Sequence, residues 1–251
     1  KRQGRPRIVI GVPSSITNVE TRAVRDAAMN AGAREVFIVE EPMAAAIGIR
    51  LPVMEPVGSM VIDIGGGTTD IAVISLGGIV NSKNLKIAGD RFNSDIISYV
   101  RDEFKILIGE RTSENVKMAI GSAMKQNAPL EASIRGRDLL TGLPREVIVT
   151  DSDIREALSP SIQVLVEATK EVLETTPPEI LSDVMNRGIV LVGGGALILG
   201  IADRLSEAIK IAVASADDPL TAVARGTGIM IENIDDYGEV LIEHDNELPP
   251  R

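Results

Sequence analysis

An α/β fold with a ligand cleft is predicted by three observations on the 251-residue chain. Residues 8–12 and 36–39 are short apolar runs joined by a helical stretch, a strand–helix–strand unit that implies a right-handed parallel crossover. Residues 60–64 and 69–75 are β-forming runs that flank Gly65, Gly66 and Gly67, which reads as a hairpin whose turn is bare backbone. Residues 189–192 form another buried strand and run directly into Gly193, Gly194, Gly195 and Ala196. Two glycine-rich turns, each after a buried strand, are accounted for if both face one cleft.

Taken in order, residues 8–12 are wholly apolar, as expected of a strand covered on both faces. Thr17 and Glu20 make a capping-box pattern that opens a helix with Val24, Ala27, Ala28 and Ala31 on one side, stopped by Gly32. After the second strand come Glu40, Glu41 and Pro42, and Pro42 and Gly48 suit the start and end of a short helix. Carboxylates at the carboxyl end of a parallel strand sit where α/β folds place ligands. Acidic residues there also complement the helix dipole by ~0.3–1 kcal/mol each, a reading that stands beside the first. Residues 51–59, with Pro52, Pro56 and Gly58, read as a connector and domain boundary.

The hairpin carries the chemistry. Three glycines weaken a strand and fill no core, so a ligand close to main-chain N–H groups is the better reason for them. Consecutive N–H groups form an anion cradle and Thr68 adds a hydroxyl, which suits a polyphosphate. Asp63 is placed to face a metal on those phosphates through water. A tight hairpin with Asp63 and Asp70 as mere turn residues explains the glycines alone equally well; the whole pattern between two apolar strands favours phosphate.

Gly77 and Gly78 read as a second hairpin return, and Gly89-Asp90 leads into a helix with Phe92, Ile96, Ile97, Val100 and Phe104 on its apolar side. Residues 108–117 are expected to be a loop capped by Thr112 or Ser113, whose helix runs on to about Met124. Residues 126–151 look like a small appended sheet. Pro160, inside the long apolar-striped segment 153–173, would cost ~3 kcal/mol in an unbroken helix, so a restart capped by Ser159 is expected. Residues 197–209 are helix-compatible, and tight helix–sheet packing is the plain alternative for the glycines before them. Residues 218–228 read as a loop and a helix returning to the first domain, and the acidic tail 239–251 as frayed.

Composition narrows the function. A net charge of −10 leaves no basic excess for nucleic acid. With no cysteine and one histidine, His244, disulfides, thiolate metal sites, a Ser-His-Asp triad and a histidine zinc site fall away. No apolar run reaches the ~18–20 residues of a membrane span.

The combination of Gly11-Val12-Pro13, residues 40–48, residues 63–70, Ile108-Gly109-Glu110-Arg111-Thr112, Thr141-Gly142-Leu143-Pro144, Thr176-Pro177-Pro178-Glu179, Gly193-Gly194-Gly195-Ala196-Leu197 and residues 218–228 resembles the superfamily of actin, heat-shock chaperone and sugar-kinase ATPases. Within it the chain is similar to the bacterial actins of the MreB family over nearly its whole length. The resemblance implies an actin-like (ribonuclease H-like) two-domain ATPase fold with ATP and Mg²⁺ in the cleft. It divides the chain into residues 1–56 (subdomain IA), 57–91 (IIA), 92–151 (IIB), 152–218 (IIA again) and 219–251 (the return to IA and the tail). It places Gly65, Gly66, Gly67 and Thr68 on the phosphates, and Asp63 on Mg²⁺ through water. Glu41 falls on the group that positions attacking water; Glu114, Asn115, Val116 and Lys117 fall on the nucleoside. Gly193, Gly194, Gly195 and Ala196 fall on the adenosine side. It also implies weak ATP hydrolysis coupled to polymerisation. Homopolymeric filaments at the inner face of the cell membrane, serving cell-wall elongation and rod shape, follow from it too, with no nucleic-acid partner.

The sequence departs from that pattern at its start. A typical member's first phosphate loop, Asp-x-Gly-Thr, is absent, and Lys1 followed almost at once by a strand reads as a piece of a longer protein lacking roughly ninety residues. The piece is expected to hold part of the phosphate grip and an incomplete first domain. Two other readings share the motifs: a DnaK-type chaperone ATPase domain, and a shape scaffold that does not hydrolyse nucleotide.

Overall fold

The computed structural model describes residues 4–242. The expectations for Lys1, for His244 and for the tail beyond Ile242 lie outside the described residues. Residues 239–242 correct the expectation of a frayed tail, since Val240 is buried and Ile242 N–H donates to the Ile38 carbonyl (2.8 Å).

Strand β1 (Arg7–Val12) leads through helix α1 (Asn18–Asn30) to strand β2 (Glu35–Glu40), and the two strands pair in parallel. The capping box at Thr17 is formed as expected. Two details differ. Residues 7–11 are only half-buried, because among the described residues β1 pairs with β2 alone. On α1 it is Val24 and Ala28 that pack inward, while Ala27 and Ala31 are exposed, since the helix leans on a single sheet face. Helix α2 (Glu41–Gly48) follows β2 without a loop, and every residue from Pro42 to Gly48 is buried.

Strands β3 (Ser59–Ile64), β4 (Thr69–Ser75) and β5 (Gly78–Leu85) form the expected antiparallel meander. Helix α3 (Gly89–Phe104), strand β6 (Ile106–Leu107), helix α4 (Glu110–Ile120) and strands β7 (Glu131–Asp138) and β8 (Pro144–Thr150) follow, and β6, β7 and β8 make the small separate sheet. Helix α4 corrects the loop expected over 108–117. It starts at Glu110 and ends before Gly121, and its cap is Gly109, whose carbonyl accepts from the N–H groups of Thr112 and Ser113. Those two hydroxyl residues lie inside the first turn, where the Ser113 hydroxyl donates to the Asn93 carbonyl instead (2.8 Å).

Helix α5 (Asp151–Thr175) is continuous through Pro160, so the restart at Ser159 does not occur. Pro160 is exposed, and so is Glu156, whose carbonyl loses its partner and can be hydrated. Buried Ile154, Ala157, Leu158, Ile162 and Leu165 hold the helix on both sides of the proline. Pro160→Ala is therefore expected to stabilise the protein by about 2 kcal/mol, read as a higher urea midpoint.

Helix α6 (Pro178–Arg187), strand β9 (Ile189–Val192), helix α7 (Ile201–Ile209), strand β10 (Val213–Ser215) and helix α8 (Ala222–Glu232) complete the fold. The helix expected over 197–209 is split: a 3-10 turn spans Gly194–Leu197, and α7 begins only after Gly200, whose φ of +72° breaks the run. The central sheet has the order β10-β9-β3-β4-β5. One face packs under α3 and α5, the other under α2 and α8, giving a three-layer sandwich. Helices α2 and α8 meet on their backbones: a Cβ on Gly48 would stand 1.9 Å from the Ala222 carbonyl oxygen, and one on Gly226 would stand 1.7 Å from that of Ala44. Among the described residues no helix is long and apolar enough to cross a membrane.

Candidate nucleotide site

Alternation along β3 builds the first wall of the site. Met60, Ile62 and Ile64 point into the core beneath α3 and α5, so Val61 and Asp63 point to the α2 side. The antiparallel register sets Asp70 of β4 directly opposite Asp63, and Asn84 of β5 opposite Asp70. Asn84 Nδ2 donates to Asp70 Oδ2 (3.0 Å), which fixes one carboxylate oxygen.

The hairpin tip is held from behind. The carbonyls of Gly65 and Gly66 accept from the N–H groups of Gly89 (3.1 Å) and Asp90 (2.8 Å) at the start of α3, and Gly65 N–H donates to Thr68 (3.0 Å). With the carbonyls turned back, the N–H groups of Gly66, Gly67 and Thr68 have no hydrogen-bond partner among the described residues. Nothing lies within 4 Å of where a Gly66 Cβ would be. Exposed, unpaired and successive amides are what an anion needs.

The second turn arrives beside the first because β9 runs parallel to β3, with Val192 opposite Asp63. Gly193 then turns with φ +81°, and a Cβ there would stand 2.4 Å from Asp63 Oδ1, so only glycine lets the carboxylate keep its place. Gly193 N–H donates to the Pro219 carbonyl (2.9 Å), tying the turn to the segment that enters α8. The result is one hollow of about 350 Å³ lined by Glu41, Asp63, residues 65–68, Asp70, Gly193 and Gly194, and closed by Pro13, Pro219, Leu220 and Val223. Gly195 lies deeper, where its missing side chain leaves room for Ile64, and Ala196 is buried.

Three carboxylates, and no Lys or Arg side chain among the described residues, line this hollow. Burial, with the charges of Glu41 and Asp70 added to it, pushes Asp63 from its ordinary 3.8 up to about 7. Burial and Asp70 raise Glu41 as well. A raised carboxylate pKa means that the folded protein binds the proton more tightly than the unfolded chain, so stability is lost as pH climbs from about 4 to about 7. Asp63→Asn is accordingly expected to raise the thermal midpoint of the nucleotide-free protein at pH 8 and to leave it nearly unchanged at pH 4. An equal shift at both values would contradict the cause given.

Glu114, Asn115, Val116 and Lys117 lie on α4, beside the hollow and not among the residues lining it. Lys117 Nζ pairs with Glu114 (2.7 Å) and donates to the Gly89 carbonyl (3.1 Å), which brings an ammonium behind the hairpin tip. Asn93 Nδ2 donates to Glu114 (2.7 Å). Asn115 is exposed, and Val116 belongs to the core. Residue spacing alone missed Pro13, Asn84 and Ser14, whose N–H donates to Asp70 Oδ1 (3.1 Å); each acts across at least 14 positions of sequence.

A sequence model described as MreB/Mbl protein matches residues 1–239. The chain belongs to the MreB/Mbl family. The cell shape-determining protein MreB of Escherichia coli (strain K12) is 50% identical over 240 residues, which cover 96% of this chain and 69% of that protein. The cell shape-determining protein Mbl of Bacillus subtilis (strain 168) is 47% identical over 231 residues, covering 92% and 69%. Among solved structures, MreB5 of Spiroplasma citri bound to ADP superposes with a TM-score of 0.90 at 39% identity, over 93% of this chain and 71% of that one. A MamK double helical filament superposes at 0.78 with 22% identity, over 91% and 69%, a likeness of fold alone. The fold of this MreB/Mbl-family chain is thus actin-like, as expected from its sequence.

Proposed function

We propose that this MreB/Mbl-family chain acts as a bacterial actin that binds ATP and assembles with copies of itself into filaments determining cell shape. The observation that carries this is the shared hollow: two glycine turns from distant parts of the sequence meet around Asp63, and one presents three amides with no partner among the described residues. The structures of MreB5 with ADP and with AMPPNP, at 39% identity, support a nucleotide as the ligand.

In this reading Gly66, Gly67 and Thr68 hold the β- and γ-phosphates through their N–H groups and the Thr68 hydroxyl, and Gly65 shapes the turn. Gly193 and Gly194 take the adenosine side, with Gly195 and Ala196 packing the turn in place. Glu114 and Lys117 approach the nucleoside from α4, flanked by Asn115 and by Val116 as a core anchor. Asp63 faces Mg²⁺ through water. Among the described residues no three His, Cys, Asp or Glu side chains are arranged to hold a metal by themselves, which fits an ion shared with phosphate oxygens. Such an ion would neutralise phosphate charge and relieve the crowding of Asp63, Asp70 and Glu41. Glu41, at the first turn of α2, orients the attacking water as general base.

Hydrolysis is weak and sets polymer stability, and the filaments lie at the inner face of the membrane and organise wall elongation. Sedimentation of the full-length protein with and without ATP, together with phosphate release, tests the reading. ATP-dependent pelleting with phosphate release supports it. Polymer without turnover would leave a scaffold that does not hydrolyse nucleotide, and absence of both would remove it.

A further inference from the structure

Besides the bond from Gly193 N–H to the Pro219 carbonyl, a polar connection that the nucleotide reading does not use spans the hollow. Ser14 lies in the turn after β1, on the body built from β1, β2, α2 and α8. Its N–H donates to Asp70 Oδ1 (3.1 Å), and its hydroxyl donates to the same oxygen. Asp70 lies on β4 of the central sheet, 56 positions away, is 2% exposed, and has its other oxygen held by Asn84 (3.0 Å). Pro13, next to Ser14, and Asp70 itself both line the hollow, with Glu41 among their neighbours there. A buried carboxylate inside a site is thus gripped by one residue from across the cleft and by one from its own sheet.

We propose that Ser14 is a positioning residue for phosphoryl chemistry, acting through Asp70. By holding Oδ1 with two donors it fixes where the Asp70 carboxylate stands relative to Glu41, and it fixes the spacing of the two bodies at that point. Both matter to a water molecule lodged between the carboxylates and the phosphate-binding amides, because small displacements of orienting groups are costly in rate. The alternative is that the contact is only a structural tie. The geometry favours positioning: Ser14 is half-buried and commits both its donors to a single oxygen inside the cleft, where a packing tie needs no aimed carboxylate. This inference rests on the proposed ATPase reading, and its test separates the two.

The test compares the full-length protein with Ser14→Ala and Ser14→Thr, measuring kcat and KM for phosphate release from ATP. Ser14→Ala keeps the backbone donor and removes the hydroxyl, so folding survives. Its kcat is expected to fall about tenfold, the scale of one charge-assisted hydrogen bond, with KM within about twofold of wild type. Ser14→Thr restores the hydroxyl and is expected to recover most of the rate. An unchanged kcat in Ser14→Ala beside an active wild type overturns the positioning role and leaves the ATPase reading standing. A loss seen only in KM, or no rescue by threonine, overturns it too. If the wild type releases no phosphate, the ATPase reading fails and takes the role with it. The contact itself is checked separately on nucleotide-free protein by a double-mutant cycle of Ser14→Ala and Asp70→Ala in urea. Non-additive midpoints are expected, and strictly additive ones overturn the Ser14–Asp70 link.

Discussion

Gly226→Ala is expected to cost about 3 kcal/mol or more of folding stability, although it adds a single methyl group to a helix. The new Cβ would stand 1.7 Å from the Ala44 carbonyl oxygen and 2.6 Å from its carbon, both backbone atoms that cannot swing aside. Relief requires α8 to move off α2, and α2 is buried along Pro42–Gly48. The shift would open the apolar cluster of Met43, Ala44, Ile47, Val61, Ala222 and Met230. Gly228→Ala is the control. It lies in the same helix with nothing within 4 Å of its missing Cβ, and should stabilise by about 0.5–1 kcal/mol from helix propensity alone. Urea unfolding of the two variants decides the matter: similar midpoints would mean that the two helices do not meet at these glycines.

Glu41→Ala in the full-length protein is expected to lower ATP turnover by about a hundredfold while nucleotide affinity stays within a few-fold of wild type. Glu41 lines the hollow but makes none of the amide contacts assigned to phosphate. On the proposed reading its loss removes a group that acts on water and leaves the hairpin, the glycine turn and Asp63 in place. Binding of a non-hydrolysable analogue and single-turnover phosphate release separate the two effects. Wild-type turnover would take Glu41 out of the mechanism. A collapse of affinity would instead give it a structural part, through its packing against Gly11 and the turn that follows.

Much of this site could be read from residue order, because its parts are local. The hairpin declares itself through β-branched runs on either side of Gly65, Gly66 and Gly67, and α2 through Pro42 and Gly48. The misreadings have local causes of their own. Thr112 and Ser113 look like caps, but Gly109 takes that place because its carbonyl is free to receive both their amides. Pro160 looks like a stop, yet buried side chains on both sides of it outweigh one missing hydrogen bond on an exposed face. What no window of sequence reveals is the convergence: Asn84 and Ser14 on Asp70, and Gly193 under Asp63. The contacts of Asn84 and Gly193 exist only once the strand order brings β9, β3, β4 and β5 side by side, and that of Ser14 only once the turn after β1 is packed beside that sheet.

That β3 and β9 are direct parallel neighbours has a mechanical outcome. The two glycine turns leave one continuous sheet at the same end, so their separation is as stiff as a strand spacing. They behave as the fixed jaw of a vice: a ligand seated between them meets two walls whose spacing the sheet alone sets.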